Sequence, residues 1–437
     1  MEDQKMTLKK VFPLGLMLFS FFFGAGNLIF PPVLGQMAGD NLLAATLGFC
    51  FSGVGLPVLG VLALAINYYV HSDEPGLPAG KWFARVVVIL CALSIGPFFA
   101  IPRTCATSFS VGIMPMLDAS TEFWGLLAYS IFYFLLTIWM VMKPSRIVDM
   151  CGRLMAPLLL ICLIILVVAV VVNPMGPIGE VTKDYAATPF VKGMFEGYNT
   201  MDALCSLLFG AADIAAIEDE GITSAKEMTK STIFAGLVAG VALTVIYAAL
   251  SYVGAQSVSK LGMVANGGQL VRMITTSYFG SFGTVIVALI FFLACITTSV
   301  GLVTSISSYF QSISAGKLEY RKTAVAIVIF STVVANFGLT NIIKYSIPML
   351  VMLYPIIIVL ILLNIFPGVF KRNPYVFKAS LWLTAIAAIN DGLCCAGVKV
   401  FENCFSWLPY YSMGLGWVTP AFVGIVIGFA MMAVDRK

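Results

Sequence analysis

Residues 14–36 read LGLMLFSFFFGAGNLIFPPVLGQ. The stretch is apolar and long enough to cross a bilayer, which takes about 20 residues. Gly24, Gly26, Asn27, Pro31 and Pro32 nevertheless sit inside it. In a helix interior Gly costs roughly 1 kcal/mol relative to Ala, and Pro about 3. The pattern therefore predicts two half-helices meeting near residues 23–27 rather than one rod. Backbone groups opened at such a break are costly in hydrocarbon unless protein, an ion or a ligand satisfies them. The second half-helix would aim its N–H groups and positive dipole end at the midplane, which suits a carboxylate, while carbonyls freed from the first suit a cation. A Gly/Pro kink packed against a neighbouring helix accounts for the same letters, since both residues are commoner in membrane helices than in soluble ones.

The surrounding composition fixes the class. Of the 437 residues, 60% are hydrophobic and 11% charged, against about 45–50% and 25% in soluble domains, and the mean hydropathy is +0.99. This is an all-α polytopic membrane protein. One His and scattered carboxylates leave no metal-ligand cluster, and no phosphate loop, zinc-protease, serine-hydrolase or kinase motif occurs. The chain reads as no enzyme, and any work it does is driven by a gradient or a partner. The net charge of +4 comes from basic residues between spans, not from an arm that could neutralise phosphates, so nucleic acid is not a partner. Most of the ten cysteines fall inside apolar runs and read as small buried apolar residues. The basic N-terminus, MEDQKMTLKK, is followed by an apolar run longer than a signal-peptide core and is expected to be retained.

Apolar runs separated by charged or turn-rich gaps suggest about twelve spans, near 11–37, 42–70, 84–113, 123–142, 147–172, 190–217, 229–256, 280–311, 322–338, 341–366, 377–397 and 409–434. With the N-terminus inside, most of the 25 Lys and Arg fall on the cytoplasmic side, which places both termini there. Ser224 followed by Glu227 reads as a capping box opening the seventh span. Lys143, Pro144, Ser145 and Arg146 read as a cytoplasmic turn.

Further disturbances recur along the chain. The third span carries Ser94, Gly96 and Pro97, then Pro102 and Arg103. A guanidinium at membrane depth either faces a protein or aqueous cavity or snorkels to an interface. Within the sixth span, residues 190–213 read FVKGMFEGYNTMDALCSLLFGAAD, with Glu196, Gly197, Asn199, Asp202 and Asp213 inside the apolar run. Its polar groups are either a second break or glue between helices. The two interruptions sit five spans apart, and a repeat of an odd number of spans must be inverted in its second copy, a recurring plan of secondary transporters. Spans one to five (11–172) and six to ten (190–366) would be the copies, with 377–434 an added hairpin. The eighth span holds Thr297, Thr298 and Ser299, then Thr304, Ser305, Ser307 and Ser308. Such hydroxyls either bond back to their own helix or form a hard-oxygen shell for a small cation. Asp391, beside Asn390, lies outside the proposed repeats and reads as structural or oligomeric.

These residues resemble the bacterial branched-chain amino acid:cation symporters (BrnQ-type carriers) of the amino acid–polyamine–organocation superfamily. LFSFFFGAGNLIFPPVLGQMAG, LSIGPFFAIPRT, EGYNTMDALCSLLFG and ACITTSVGL carry the resemblance, which runs over essentially the whole chain. It implies the five-plus-five inverted-repeat fold of the sodium-coupled leucine transporters, with helices 1 and 6 discontinuous. It further implies that the Ala25 and Gly26 amides, in the Gly24–Asn27 motif, receive a substrate carboxylate. A sodium ion would be held by carbonyls of Ser20 and Phe23 with Ala294, Thr297 and Thr298. The Phe22 carbonyl and the Asn27 side-chain oxygen would serve near the carboxylate, where a second sodium would bind. Tyr198, Asn199 and Thr200 are the looser sixth-span counterparts, and Phe98, Phe99 and Tyr198 the candidates for the side-chain pocket.

The resemblance implies sodium-coupled uptake of leucine, isoleucine or valine across the bacterial cytoplasmic membrane, with no covalent cofactor and no obligatory protein partner besides membrane lipid. The alternatives are a proton-coupled carrier of another neutral amino acid and a sensor that binds without moving its ligand. A lipid-modifying enzyme would need a nucleophile–base or metal constellation, which His71 alone does not supply.

Overall fold

The computed structural model describes residues 7–264, 266–398 and 404–435, and their regular structure is helical throughout. Most of the basic N-terminal stretch, residues 1–6, lies outside the described residues, as do Arg436 and Lys437. The first span is split into α1 (Leu8–Phe22) and α2 (Ala25–Ala38). The second is α3 (Leu42–Cys50) with α4 (Leu56–Ile66), the third α5 (Lys81–Leu93) with α6 (Ala100–Gly112), the fourth α7 (Glu122–Val141) and the fifth α8 (Ala156–Val172). A short α9 (Lys183–Ala186) precedes α10 (Pro189–Tyr198) and α11 (Asp202–Asp219), the halves of the sixth. There follow α12 (Ala225–Leu261), α13 (Gly267–Phe279), α14 (Ser281–Ile313), α15 (Tyr320–Ala335), α16 (Leu339–Ile365), α17 (Pro367–Phe370), α18 (Pro374–Cys395) and α19 (Val418–Asp435).

Among the described residues, eight helical runs are long and apolar enough to cross a membrane, and α10 with α11, as one bent crossing, makes nine. One of the eight, the 42-residue run Ala25–Ile66, passes through Gly39 at φ +50° and holds α2 together with the second span. The first two expected spans share one of these runs, and α15 and α18, where the ninth and eleventh were expected, are helices that fall short of that length or hydropathy.

Both breaks are present. Phe23 (ψ 85°) and the extended Gly24 separate α1 from α2. Pro31 and Pro32 lie inside α2, where their missing N–H groups release the carbonyls four residues earlier. Met201, left-handed at φ 69°, separates α10 from α11, which meet at a 51° bend. The second of these has no Gly at its turning residue, so composition alone marks it weakly. Residues 25–29 of α2 and 202–210 of α11 are buried on every side, as exposed polar backbone at this depth requires.

The third span is interrupted where Ser94, Gly96 and Pro97 predicted it, by a wide turn over Ser94–Phe98 with Gly96 outside helical geometry (ψ −119°). Pro144–Arg146 forms a tight turn, and α12 starts directly after Ser224, with Glu227 paired to Lys230 at 2.8 Å.

The apolar runs did not anticipate α13. Its start is capped by Asn266, whose side-chain oxygen accepts from Gly268 and Gln269 at 3.0 and 3.2 Å. It lies directly on α2: a Cβ at Gly267 would fall 2.1 Å from the Ile29 carbonyl oxygen. The last span also begins later than expected, at Val418, because 404–417 form turns and a short 3-10 segment. α18 and α19 pack closely, with Gly424 and Gly428 against the backbone at Ser380 and Val376.

Candidate functional site

At the first break the backbone would leave several donors open at the start of α2. Asn27 closes one of them, its Oδ1 accepting the Gly24 N–H at 3.0 Å. Its Nδ2 donates to Asp202 Oδ2 at 2.6 Å and also contacts the Tyr247 hydroxyl. One buried amide thus ties the first break to the second and to α12. Tyr247 went unmarked in the sequence, because a single Tyr in an apolar helix carries no signal of what it faces.

At the second break the freed carbonyls of α10 meet Arg103. Nη1 donates to the Asn199 carbonyl at 2.8 Å and Nη2 to the Thr200 carbonyl at 3.3 Å. The side chain is 4% exposed, so Arg103 faces the protein interior rather than snorkelling. The negative end of α10 and the guanidinium stabilise each other. The carbonyls that end α10 are therefore held by this chain's own cation. Thr200 turns its hydroxyl back to the Gly197 carbonyl at 2.8 Å, and Asn199 turns its amide to Glu196 at 3.1 Å. Only the backbone of Asn199 reaches the Arg103 group.

Where α1 ends, oxygens crowd against α14. Thr297 Oγ1 lies 3.0 Å from the Ser20 carbonyl, 2.9 Å from that of Leu293 and 3.1 Å from that of Ala294. Thr298 Oγ1 lies 3.3 Å from the Ser20 carbonyl. One hydroxyl has one proton, so Thr297 satisfies one of its three acceptors at a time. The cluster is rich in oxygen and poor in protons, a donor set that fits a hard monovalent cation. Phe23 follows on the buried end of α1, and a Cβ on Gly24 would fall 2.9 Å from Thr298 Oγ1. Gly24 is needed there for room.

The remaining expected residues distribute unevenly. Phe22 lines a small chamber at the breaks with Gly24, Ala25, Asn27, Thr200 and Thr298. Asn27 Oδ1 accepts the Gly24 N–H, and the Arg103 guanidinium stands beside Gly26, so a cation at Phe22 and Asn27 would share the chamber with that charge. Phe98 is a correction: it is 42% exposed and packs edge-on against Phe330 at 5.2 Å, because the wide turn at Ser94–Phe98 rotates it out of the bundle. Phe99 is half-buried beside it. Tyr198 stacks on Tyr354 at 4.1 Å, next to the break but outside the lining of the chamber.

The chamber measures about 10 Å³, room for about one water. A far larger cavity, about 700 Å³, opens on the side of the α1 N-terminus and reaches Phe21, which also borders the chamber. On the opposite side α13 covers α2.

The comparisons agree with this architecture. A family model described as "Branched-chain amino acid transport protein" matches residues 7–435. The branched-chain amino acid permease BraB of Bacillus subtilis (strain 168) is 40% identical over 98% of this chain and 96% of its own length. The branched-chain amino acid permease BrnQ of Escherichia coli (strain K12) is 36% identical over 97% of this chain and 95% of its own. Among solved structures, Mhp1, a nucleobase-cation-symport-1 family transporter, superposes with a TM-score of 0.60 at 13% identity, over 97% of this chain and 92% of its own. MhsT, solved in complex with L-phenylalanine, does so with 0.52 at 14% identity, over 98% and 99%. The fold is that of the sodium-coupled leucine transporter type. Relatives named as permeases, a match that spans every described residue and two helices broken beside one another leave one assignment: this multi-pass membrane chain is a transporter, not an enzyme, and belongs to the branched-chain amino acid transport protein family.

Proposed function

We propose that the chain carries leucine, isoleucine and valine across the cytoplasmic membrane by alternating access, with sodium as the coupling ion. The oxygen cluster of Ser20, Ala294, Thr297 and Thr298 carries the sodium reading, since a monovalent cation would satisfy lone pairs that too few protons serve. The relatives' names support the substrate class. In this reading the carboxylate meets the Ala25 and Gly26 amides, and residues 11–172 and 190–366 are inverted copies with 377–434 appended. With both termini cytoplasmic, the cavity of about 700 Å³ is the inward vestibule. Sodium bound at the end of α1 favours the state that accepts substrate, and its loss inside releases both.

Burying a branched side chain contributes roughly 1.5–3 kcal/mol and one methylene about 0.8. The carrier therefore separates leucine well from glycine, and poorly from valine, one methylene smaller, or from isoleucine, its isomer. Uptake of radiolabelled leucine into proteoliposomes tests the proposal: saturable uptake under an inward sodium gradient is expected. Uptake that ignores both sodium and proton gradients overturns the coupling, and no leucine uptake overturns the substrate.

Proton coupling has one observation in its favour. Asp213, in α11, is fully buried and among the described residues neither carboxylate oxygen has a hydrogen-bond partner, and ionisable groups at membrane depth mark ion and proton pathways. Uptake driven by a pH gradient without sodium, and lost in Asp213→Asn, carries that reading. Sodium-driven uptake unchanged in Asp213→Asn carries the first.

A further inference from the structure

Arg103 and Asp202 are charged side chains lining the chamber at the breaks, and sodium coupling gives neither a task. A guanidinium has five N–H donors. Two of those on Arg103 hold the Asn199 and Thr200 carbonyls, while its Nε is buried without a partner among the described residues. A Cβ on Gly26 would lie 3.1 Å from Nη2, so the guanidinium stands against the first turn of α2. That turn is itself the positive end of a helix dipole. Two positive groups thus face one buried chamber.

Asp202 does not neutralise them by contact. Among the described residues no carboxylate oxygen comes within 4.0 Å of the Arg103 guanidinium, and Asp202 Oδ2 accepts from Asn27 at 2.6 Å and from the Tyr247 hydroxyl at 3.5 Å. The anion that fits is one that arrives with its own two oxygens, matched to a planar fork.

We propose that Arg103 is a substrate-binding residue that receives the amino acid's carboxylate together with the Ala25 and Gly26 amides. The proposal rests on the transport reading above and assigns its specificity for a free α-carboxylate. The carbonyls of Asn199 and Thr200 fix the fork, so little side-chain freedom is lost on binding. A tethered charge that cannot dissociate does at this end of the chamber what a second bound cation would otherwise do. Asp202, held by Asn27 across the break, balances the pair so that a net-neutral zwitterion is accepted and a dicarboxylate or polyamine is not.

The test compares leucine with leucinamide, which keeps the side chain and amine but lacks the carboxylate, as competitors of radiolabelled leucine uptake. In the wild-type carrier leucinamide is expected to compete at least about 30-fold more weakly, the scale on which a buried charge pair loses one partner. In Arg103→Gln leucine weakens by a similar factor, and the two ligands converge to within about threefold. Arg103→Lys, a point charge without the fork, restores part of the discrimination. The double variant Arg103→Gln with Asp202→Asn removes both charges together and guards against misfolding from an orphaned carboxylate; it too should lose the discrimination. A merely structural Arg103 would lower the amount of active carrier and leave the ratio unchanged. Retained discrimination in either Gln variant, or equal competition in the wild type, overturns the proposal. A wild-type carrier that moves no leucine at all overturns the transport reading instead.

Discussion

Thr297 and Thr298 show how little separates a helix-bound hydroxyl from an ion ligand. Thr297 follows the common habit of bonding back to its own helix, at Leu293 and Ala294, whereas Thr298 reaches across to α1. What sets them apart is the Ser20 carbonyl, which comes from the end of α1, 277 residues away in sequence. Replacing Thr297 and Thr298 by Ala together removes both hydroxyls while leaving helix packing largely intact. The double variant is expected to raise the sodium concentration for half-maximal uptake by at least about tenfold, since hydrogen bonds and ligands of this kind contribute roughly 1 kcal/mol each. Titration of uptake against sodium at fixed leucine checks this, and an unchanged curve removes the site from α14. The glycines of the first break act at the same scale. Gly24 and Gly26 are legible as breakers in the sequence, but their closeness to Thr298 and to Arg103 is not, because it depends on helices whose positions no local pattern records.

Helix pairs are held by backbone contact as much as by side chains. α2 and α12 meet at Gly35 and Gly254, where a Cβ would fall 1.9 Å from the Ser251 carbonyl oxygen and 2.0 Å from that of Pro32. Small residues at such crossings let backbones approach and dispersion contacts accumulate. Gly254→Leu cannot be accommodated by a rotamer change, since the clash is with main chain. It should destabilise the fold by about 3 kcal/mol, the upper end for overpacking, read as a lower denaturation midpoint in mild detergent. Element existence was largely readable from apolar runs, as the match of α12, α14 and α16 to expectation illustrates. α13 was not, because Gly267–Phe279 has Arg272 and several polar residues, and its helix is held in place by an Asn cap and by α2 beneath it.

Across the whole molecule the asymmetry between the two sides sets the working state. The wide cavity opens towards the α1 N-terminus, and at its mouth Arg153 bridges Glu220 at 3.1 Å and Asp149 at 2.7 Å, while Lys10 donates to the Glu220 carbonyl at 2.9 Å. These contacts link the starts of the first and fifth spans to the end of the sixth. Arg153 is about half exposed, so its pairs contribute at most about 1 kcal/mol. Arg153→Ala should therefore change turnover by less than about fivefold, and the difference should vanish near 1 M salt, where screening acts within about 3 Å. A loss of turnover that salt does not mimic would show that Arg153 acts through packing rather than charge. The class of protein, most of its crossings and the interruption of the first span were legible in the sequence alone, because hydrophobic run length and the helix penalties of Gly and Pro are local properties; the second interruption, which turns at Met201, carries only a weak mark of that kind. The partnerships of Asn27 with Asp202 and Tyr247, 175 and 220 residues distant, and of Arg103 with the end of α10, were decided only by the tertiary structure. A buried polar group must find its complement in space, and chain order does not say where that complement will be.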